Sequence, residues 1–244
     1  MQKLKNLVDY STFMAELHNA ATAAGFITKV LGKVDGEPIL CLSKLQSPET
    51  ASGKRKVLIA AGFHGNEPGG PWGVVEWLKQ FGSVPLDGVD VTILPLVNPD
   101  GFKNDIREDN TDDDPNRGWT KNPEQHASKE GIVLLGHIQE LYDASLDGFL
   151  TLHENTGSTY FVITIDEKGL LSEKLKEAGS LFFTTEHTEK PKDDTFEVFL
   201  NNIGVPIVVV SESPSQQPLE KRAECNAFVI KKFIEYYDKM EWNV

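Results

Sequence analysis

Lys56-Val57-Leu58-Ile59-Ala60-Ala61-Gly62-Phe63-His64-Gly65-Asn66-Glu67-Pro68 reads as a buried strand that stops in a tight turn and passes straight into a helix. Lys56 to Gly62 is a short apolar run, the pattern of a strand covered on both faces. Pro68 to Phe81 then follows a helical period, with Trp72, Val75 and Leu78 on one side. His64 and Glu67 stand three residues apart in the junction, where both ligating atoms can turn toward one point. Such a pair is weak evidence alone, because a chain with six histidines and 37 acidic residues meets it by chance. Far downstream, Leu152-His153-Glu154 offers a second histidine at the end of another strand-like run. Two histidines, a glutamate and one open position for water are the usual composition of a catalytic zinc site, not of a closed structural one. Glu154 follows His153 directly, and alternation along a strand points it elsewhere.

Nearer the amino end, Ser11 can cap a helix carrying Phe13, Met14, Leu17 and Ala21, which Gly25 would end. Strands over Phe26 to Leu31 and Pro38 to Leu42 flank an Asp35-Gly36 turn and form a hairpin, and Ser47 to Lys54 is a polar loop. Val89 to Val97 is a strand that runs into Asn98-Pro99-Asp100-Gly101. The polar stretch from there to Ser128 is too long for an idle connection. Beyond it, helices over Gly131 to Tyr142, Glu167 to Ala178, Thr195 to Asn202 and Leu219 to Met240 are expected. They alternate with strands over Gly148 to His153, Tyr160 to Ile165, Leu181 to Thr184 and Val205 to Ser211. The alternation predicts an α/β fold with a mixed, mostly parallel central sheet and helices on both faces. Ligands of such sheets gather outside the carboxyl ends of the strands. His64, Asn98, His153 and Glu212 each fall just after a predicted strand, at that one edge.

The 244 residues suit a single domain over 1–244. No apolar run is long enough to span a bilayer, so no membrane partner is expected. A net charge of -13 lacks the basic footprint of a nucleic-acid binder, and the acidic run Glu108 to Asp114 would repel phosphates further. Met1 to Ala24 carries Asp9, Glu16 and His18 and has no pattern of a secretory signal, which points to a cytoplasmic protein. Cys41 and Cys225 lie far apart in no metal-ligand spacing and read as unpaired thiols.

Glu212 follows the most apolar strand of the chain, Ile207-Val208-Val209-Val210. A carboxylate at the mouth of a buried strand is costly unless paired or functional. Near a metal-activated water it can act as general base, taking the proton and passing it to a leaving amine. Arg107, Asn116 and Arg117 complete the set. A fixed guanidinium stabilises the negative charge that develops on an amide oxygen during hydrolysis, and it can also grip a carboxylate through two parallel hydrogen bonds.

His64-x-x-Glu67, Asn98-Pro99-Asp100-Gly101, Arg107, Asn116-Arg117, His153 and Glu212 together resemble the zinc metallocarboxypeptidase family, typified by pancreatic carboxypeptidase A and the bacterial murein-peptide amidases. The resemblance implies a zinc carboxypeptidase-like (phosphorylase/hydrolase-like) fold, one zinc, and removal of a carboxyl-terminal residue from a peptide. It makes His64, Glu67 and His153 the zinc ligands and Glu212 the general base. Arg107 would polarise the scissile carbonyl, and Asn116 and Arg117 would hold the substrate's free carboxylate. Glu197, fifteen residues before Glu212, falls where pancreatic-type members select the substrate side chain, and would favour a basic one. Two departures stand out. No Tyr lies between Glu186 and Glu212, where the family often has a mobile one, and Gly118-Trp119 replaces the usual continuation after Asn-Arg. The wording His64-Gly65-Asn66-Glu67 is also similar to aspartoacylases and succinylglutamate desuccinylases, whose substrates are acylated amino acids. A non-catalytic binding module on the same fold is a further alternative, but it predicts that a ligand or the base is missing, and all four are present.

Overall fold

A computed structural model of the protein describes residues 9–44, 54–86, 88–165, 170–186 and 193–238. The first helix, α1 (Tyr10–Ala23), is capped by Asp9 and not by Ser11: the Asp9 carboxylate accepts from the Thr12 N–H. Asp is as good a cap as Ser, and here it also takes the Ser11 hydroxyl. The hairpin follows as β1 (Ile27–Val34) and β2 (Glu37–Ser43), closed by Asp35 and Gly36, both at positive φ. Next come β3 (Arg55–Ala61), α2 (Gly69–Gln80) and β4 (Val89–Leu94). The expected loop after Ser47 falls, except for its last residue, outside the described residues.

The polar stretch after β4 contains two short helices, α3 (Pro99–Asn104) and α4 (Pro123–His126). The helix expected over Gly131 to Tyr142 is two, α5 (Lys129–Leu135) and α6 (Ile138–Ala144), broken at Gly136 and His137. Then follow β5 (Gly148–Asn155), β6 (Phe161–Ile165), α7 (Leu170–Ser180), α8 (Phe196–Asn202), β7 (Val208–Pro214) and α9 (Leu219–Asp238). Leu181 to Thr184 is not a strand. Leu181 is 69% exposed, and among the described residues a single bridge, Tyr160 to Thr185, ties this turn to the strand region. The last strand ends later than expected, so Glu212 lies within β7 instead of after it.

Among the described residues seven strands order as β1-β2-β4-β3-β5-β7-β6, with the central four parallel and the flanking pairs antiparallel. Alternation sends their side chains to two separate cores. Val57, Ile59 and Ala61 of β3 join Leu150, Leu152 and Val209 on one face, under α1, α2, α7 and α9. Leu58, Ala60, Phe149 and Val208 face the other way, against Trp119, Leu134, Leu141 and Phe196. A sheet covered on both faces explains the unbroken apolar runs. From β3 the chain crosses to β4 on one side and, after β4, returns to β5 on the other. The loops after β3 and β5 therefore diverge and leave a crevice at their carboxyl ends, where open α/β sheets bind ligands.

One core carboxylate titrates in a testable way. Glu130, in α5, is fully buried. Burial pushes its carboxyl up to about 7, with the nearby Asp109 carboxylate adding to the rise and Ser128 and Lys129 opposing it. The folded chain thus keeps this proton to higher pH than the unfolded chain, whose Glu releases it near 4.5. Stability drawn from the protonated form is complete at pH 4.5 and is lost as pH rises to 7, at most about 3 kcal/mol over that window. Glu130→Gln is expected to remove this slope. Denaturant melts of both proteins between pH 5 and pH 8 should show the variant gaining on the parent as pH rises; a constant gap contradicts the buried acid.

Candidate metal centre

The turn after β3 is shaped by glycine for steric reasons. Gly62 sits at φ 66°, and a side chain there would also strike Leu96. A Cβ on Gly65 would lie inside the Gly101–Phe102 peptide, so the loop after β3 and the Asn98-Pro99-Asp100-Gly101 turn can touch only through a bare backbone. Asn98, fully buried, locks that contact: its Oδ1 accepts from Gly101 N–H and its Nδ2 donates to the Glu108 carbonyl. The Arg107 carbonyl in turn accepts from Gly65 N–H. His64 and Glu67 are thereby fixed on either side of a rigid corner, and α2 starts immediately beyond.

His153 comes from β5. Its registered neighbour on β7 is Glu212, and residues side by side in a parallel ladder share a face. Thr151 and His153 point to the Phe149 side of the sheet, whereas Glu154 points with Leu150 and Leu152 to the opposite side. There the Glu154 carboxylate pairs with Arg222 of α9 and accepts from Gly69 N–H. Glu154 is therefore structural, as the alternation predicts, and is committed away from the cavity's polar centre.

The three expected ligands converge. His64 Nδ1 lies 2.8 Å from Glu67 Oε1, His153 Nδ1 lies 3.0 Å from Glu67 Oε2, and the two Nδ1 atoms are 3.2 Å apart. All three residues are buried, at 4%, 5% and 4% exposure. Donors about 2.0–2.1 Å from a tetrahedral zinc are separated from one another by roughly 3.3 Å, so these spacings suit one face of such a site. Two imidazole nitrogens and a carboxylate aimed at one another are also Lewis bases that need a cation or protons between them. The residues fit zinc, and they are the only such cluster of three or more among the described residues.

Each histidine has a carboxylate behind it. His64 Nε2 is 3.2 Å from Asp114 Oδ1, and His153 Nε2 is 3.2 Å from Glu197 Oε1. Burial works to raise the Glu67 carboxyl, but His64 and His153 override it and hold it well below the usual range. Burial works to lower His153, and Glu197 and Glu67 instead hold it well above. Glu212 is pushed up to about 7, by burial first and then by Glu67, with His153 and His64 opposing.

A cavity of about 250 Å³ opens over the cluster, lined by His64, Glu67, His153, Glu212, Arg107 and Arg117 among others. Arg107 donates to Glu67 Oε1 at 3.0 Å and to Asp114 Oδ2 at 3.3 Å, so it stands at the cluster and also pairs with the acidic loop. Arg117 gives one Nη1–H to the Asn116 carbonyl at 2.7 Å. Two expected substrate contacts are otherwise engaged. The Asn116 side chain accepts from Phe196 N–H and donates to Glu197, and Glu197 itself is 1% exposed beneath His153. Both line the cavity, but their polar atoms first hold the site together. Asp114 is legible as a partner for an arginine of the loop, which Arg107 bears out, but not as the carboxylate behind His64. Its position two before Asn116, in so acidic a loop, carries no signal of that role until the fold sets it against His64.

Fold and site define a metallohydrolase with a carboxypeptidase-like sheet. The family model for the succinylglutamate desuccinylase/aspartoacylase catalytic domain matches residues 53–166. A candidate metallopeptidase from Shewanella denitrificans OS217 is 31% identical, with 96% of this chain and 92% of that chain covered and a TM-score of 0.88. A second candidate metallopeptidase, from Shewanella amazonensis SB2B, is 32% identical over 95% of this chain and 94% of that one, with a TM-score of 0.87. At 19% identity, a metallo-carboxypeptidase from Pseudomonas aeruginosa in complex with (2-guanidinoethylmercapto)succinic acid shares the fold. The match covers 92% of this chain and 68% of that chain, with a TM-score of 0.71. No curated protein sequence matches. The chain belongs to the zinc carboxypeptidase-like family that includes the succinylglutamate desuccinylase/aspartoacylase domains. Among the described residues, no helix is long and apolar enough to cross a membrane.

Proposed function

We propose that the chain is one catalytic domain, 1–244, of a zinc-dependent metallocarboxypeptidase that hydrolyses the C-terminal amide bond of a peptide. The observation that carries this reading is the meeting of His64, Glu67, His153, Glu212, Arg107 and Arg117 around one small cavity. His64, Glu67 and His153 would hold the zinc, which when bound polarises a carbonyl and makes water a nucleophile at neutral pH. Glu212 takes the proton from the attacking water and returns it to the amine nitrogen as the C–N bond breaks. Arg107, beside Glu67, is placed to stabilise the negative charge on the former carbonyl oxygen. Arg117 binds the free carboxylate of the chain end. A cavity of about 250 Å³ is below the range of roughly 300–1,000 Å³ that encloses a drug-sized ligand, which suits a site that encloses only a chain end.

A second reading is hydrolysis of an N-acyl amino acid, favoured by the match of residues 53–166 to the desuccinylase/aspartoacylase domain. It uses the same base and the same grip on a carboxylate. Zinc-loaded protein incubated with short peptides and with N-acyl amino acids, read by mass spectrometry, separates the two. Release of the terminal residue from peptides is expected; cleavage of N-acyl amino acids alone selects the second reading, and cleavage of neither contradicts both. Arg117→Ala is expected to raise KM for free-carboxylate peptides about 10- to 100-fold, the weight of a charge-assisted pair, with zinc content unchanged. An unchanged KM argues against that role.

A further inference from the structure

We infer that Glu197 is a positioning residue for the metal ligand His153: it accepts the Nε2–H and thereby turns Nδ1 toward Glu67 and His64. The inference rests on the proposed role of His153 as a ligand. Glu197 Oε1 lies 3.2 Å from His153 Nε2 and also accepts from the Thr151 hydroxyl at 2.8 Å and Asn116 Nδ2 at 3.3 Å. Thr151 precedes His153 by two residues on the same strand face, so the strand itself presents both donors to one carboxylate oxygen. Asn116 is anchored in turn by Phe196 N–H, next in the chain to Glu197. Glu197 is 1% exposed and its Oε1 is held by three donors, two from β5 and one from the Asn116 loop, a rigidity that suits an orienting group more than one waiting for a substrate side chain.

A carboxylate behind a ligating histidine fixes the tautomer and the ring plane, and its loss typically costs about 10- to 100-fold in metal affinity. A selector of basic side chains behaves differently, since its loss leaves metal affinity intact and spares neutral substrates. Zinc titration of wild type, Glu197→Leu and Glu197→Gln, with turnover of terminal-Lys and terminal-Phe peptides, distinguishes the roles. Leu has nearly the same bulk and no acceptor; Gln keeps an oxygen that can accept Nε2–H. Glu197→Leu is expected to weaken zinc about 10- to 100-fold and to slow both peptides by the same factor, and Glu197→Gln to recover most of the affinity. Unchanged zinc affinity with turnover lost only for terminal Lys overturns the inference.

A readout on the intact protein guards against a variant that fails to fold. Imidazole nitrogen shifts of zinc-loaded wild type should show His153 protonated at Nε2, with Nδ1 unprotonated and metal-bound; the opposite assignment of the two nitrogens overturns the inference. Failure of wild type to bind zinc overturns the reading beneath it as well, and is told apart because no variant is then involved.

Discussion

Glu212→Gln is expected to lower kcat about 10²- to 10⁴-fold, the range of a general base, while zinc content and KM stay near wild type. The substitution preserves size and removes only the capacity to take a proton. Glu212 shares a sheet face with His153 through the β5–β7 register, so it lies beside the ligands without being one of the converging three. Metal affinity therefore should not follow it. Stopped assays at saturating substrate, paired with metal analysis of the same samples, give the check. A kcat within tenfold of wild type would mean that the base is another group. A non-catalytic binding module would show no hydrolysis in the parent for the change to remove.

Gly65→Ala is expected to destabilise the fold by more than about 3 kcal/mol, because the new methyl would enter the Gly101–Phe102 peptide and two backbones cannot yield as a side-chain tip does. For a chain of this size that is a fall in Tm of roughly 6–12 °C or more. The site is affected as well as the stability. Gly65 separates His64 from Glu67, and displacement of reacting groups by about 1 Å can cost roughly 10² in rate. Thermal melts with and without zinc measure both consequences: a lower Tm and a smaller stabilisation by the metal. A variant with parental Tm and parental zinc response would show that the corner is not held by backbone contact.

Much of this was legible in the sequence, and the exceptions share a cause. The α/β alternation, the strand-to-helix corner at His64 and Glu67, and the second histidine all follow from local pattern, because buried parallel strands and glycine turns have strong local signatures. The opposite facing of His153 and Glu154 needed only the two-residue period of a strand. What local pattern could not give was set by tertiary packing. Leu181 to Thr184 has the composition of a strand, yet the antiparallel partner of β7 is β6. The helix over Gly131 to Tyr142 breaks at Gly136, which local periodicity passes over. Asp114 and Glu197 became partners of the two histidines only once strands and loops 40 or more residues away were brought beside them.

Zinc titration of the metal-free protein by calorimetry, in wild type and in His153→Ala, is the direct test of convergence. One zinc per chain is predicted for wild type, with affinity lowered more than about 100-fold in the variant, because a three-ligand site loses a first-contact donor. Equal affinity in the two proteins would contradict the account, since His153 would then not meet His64 and Glu67 at a metal.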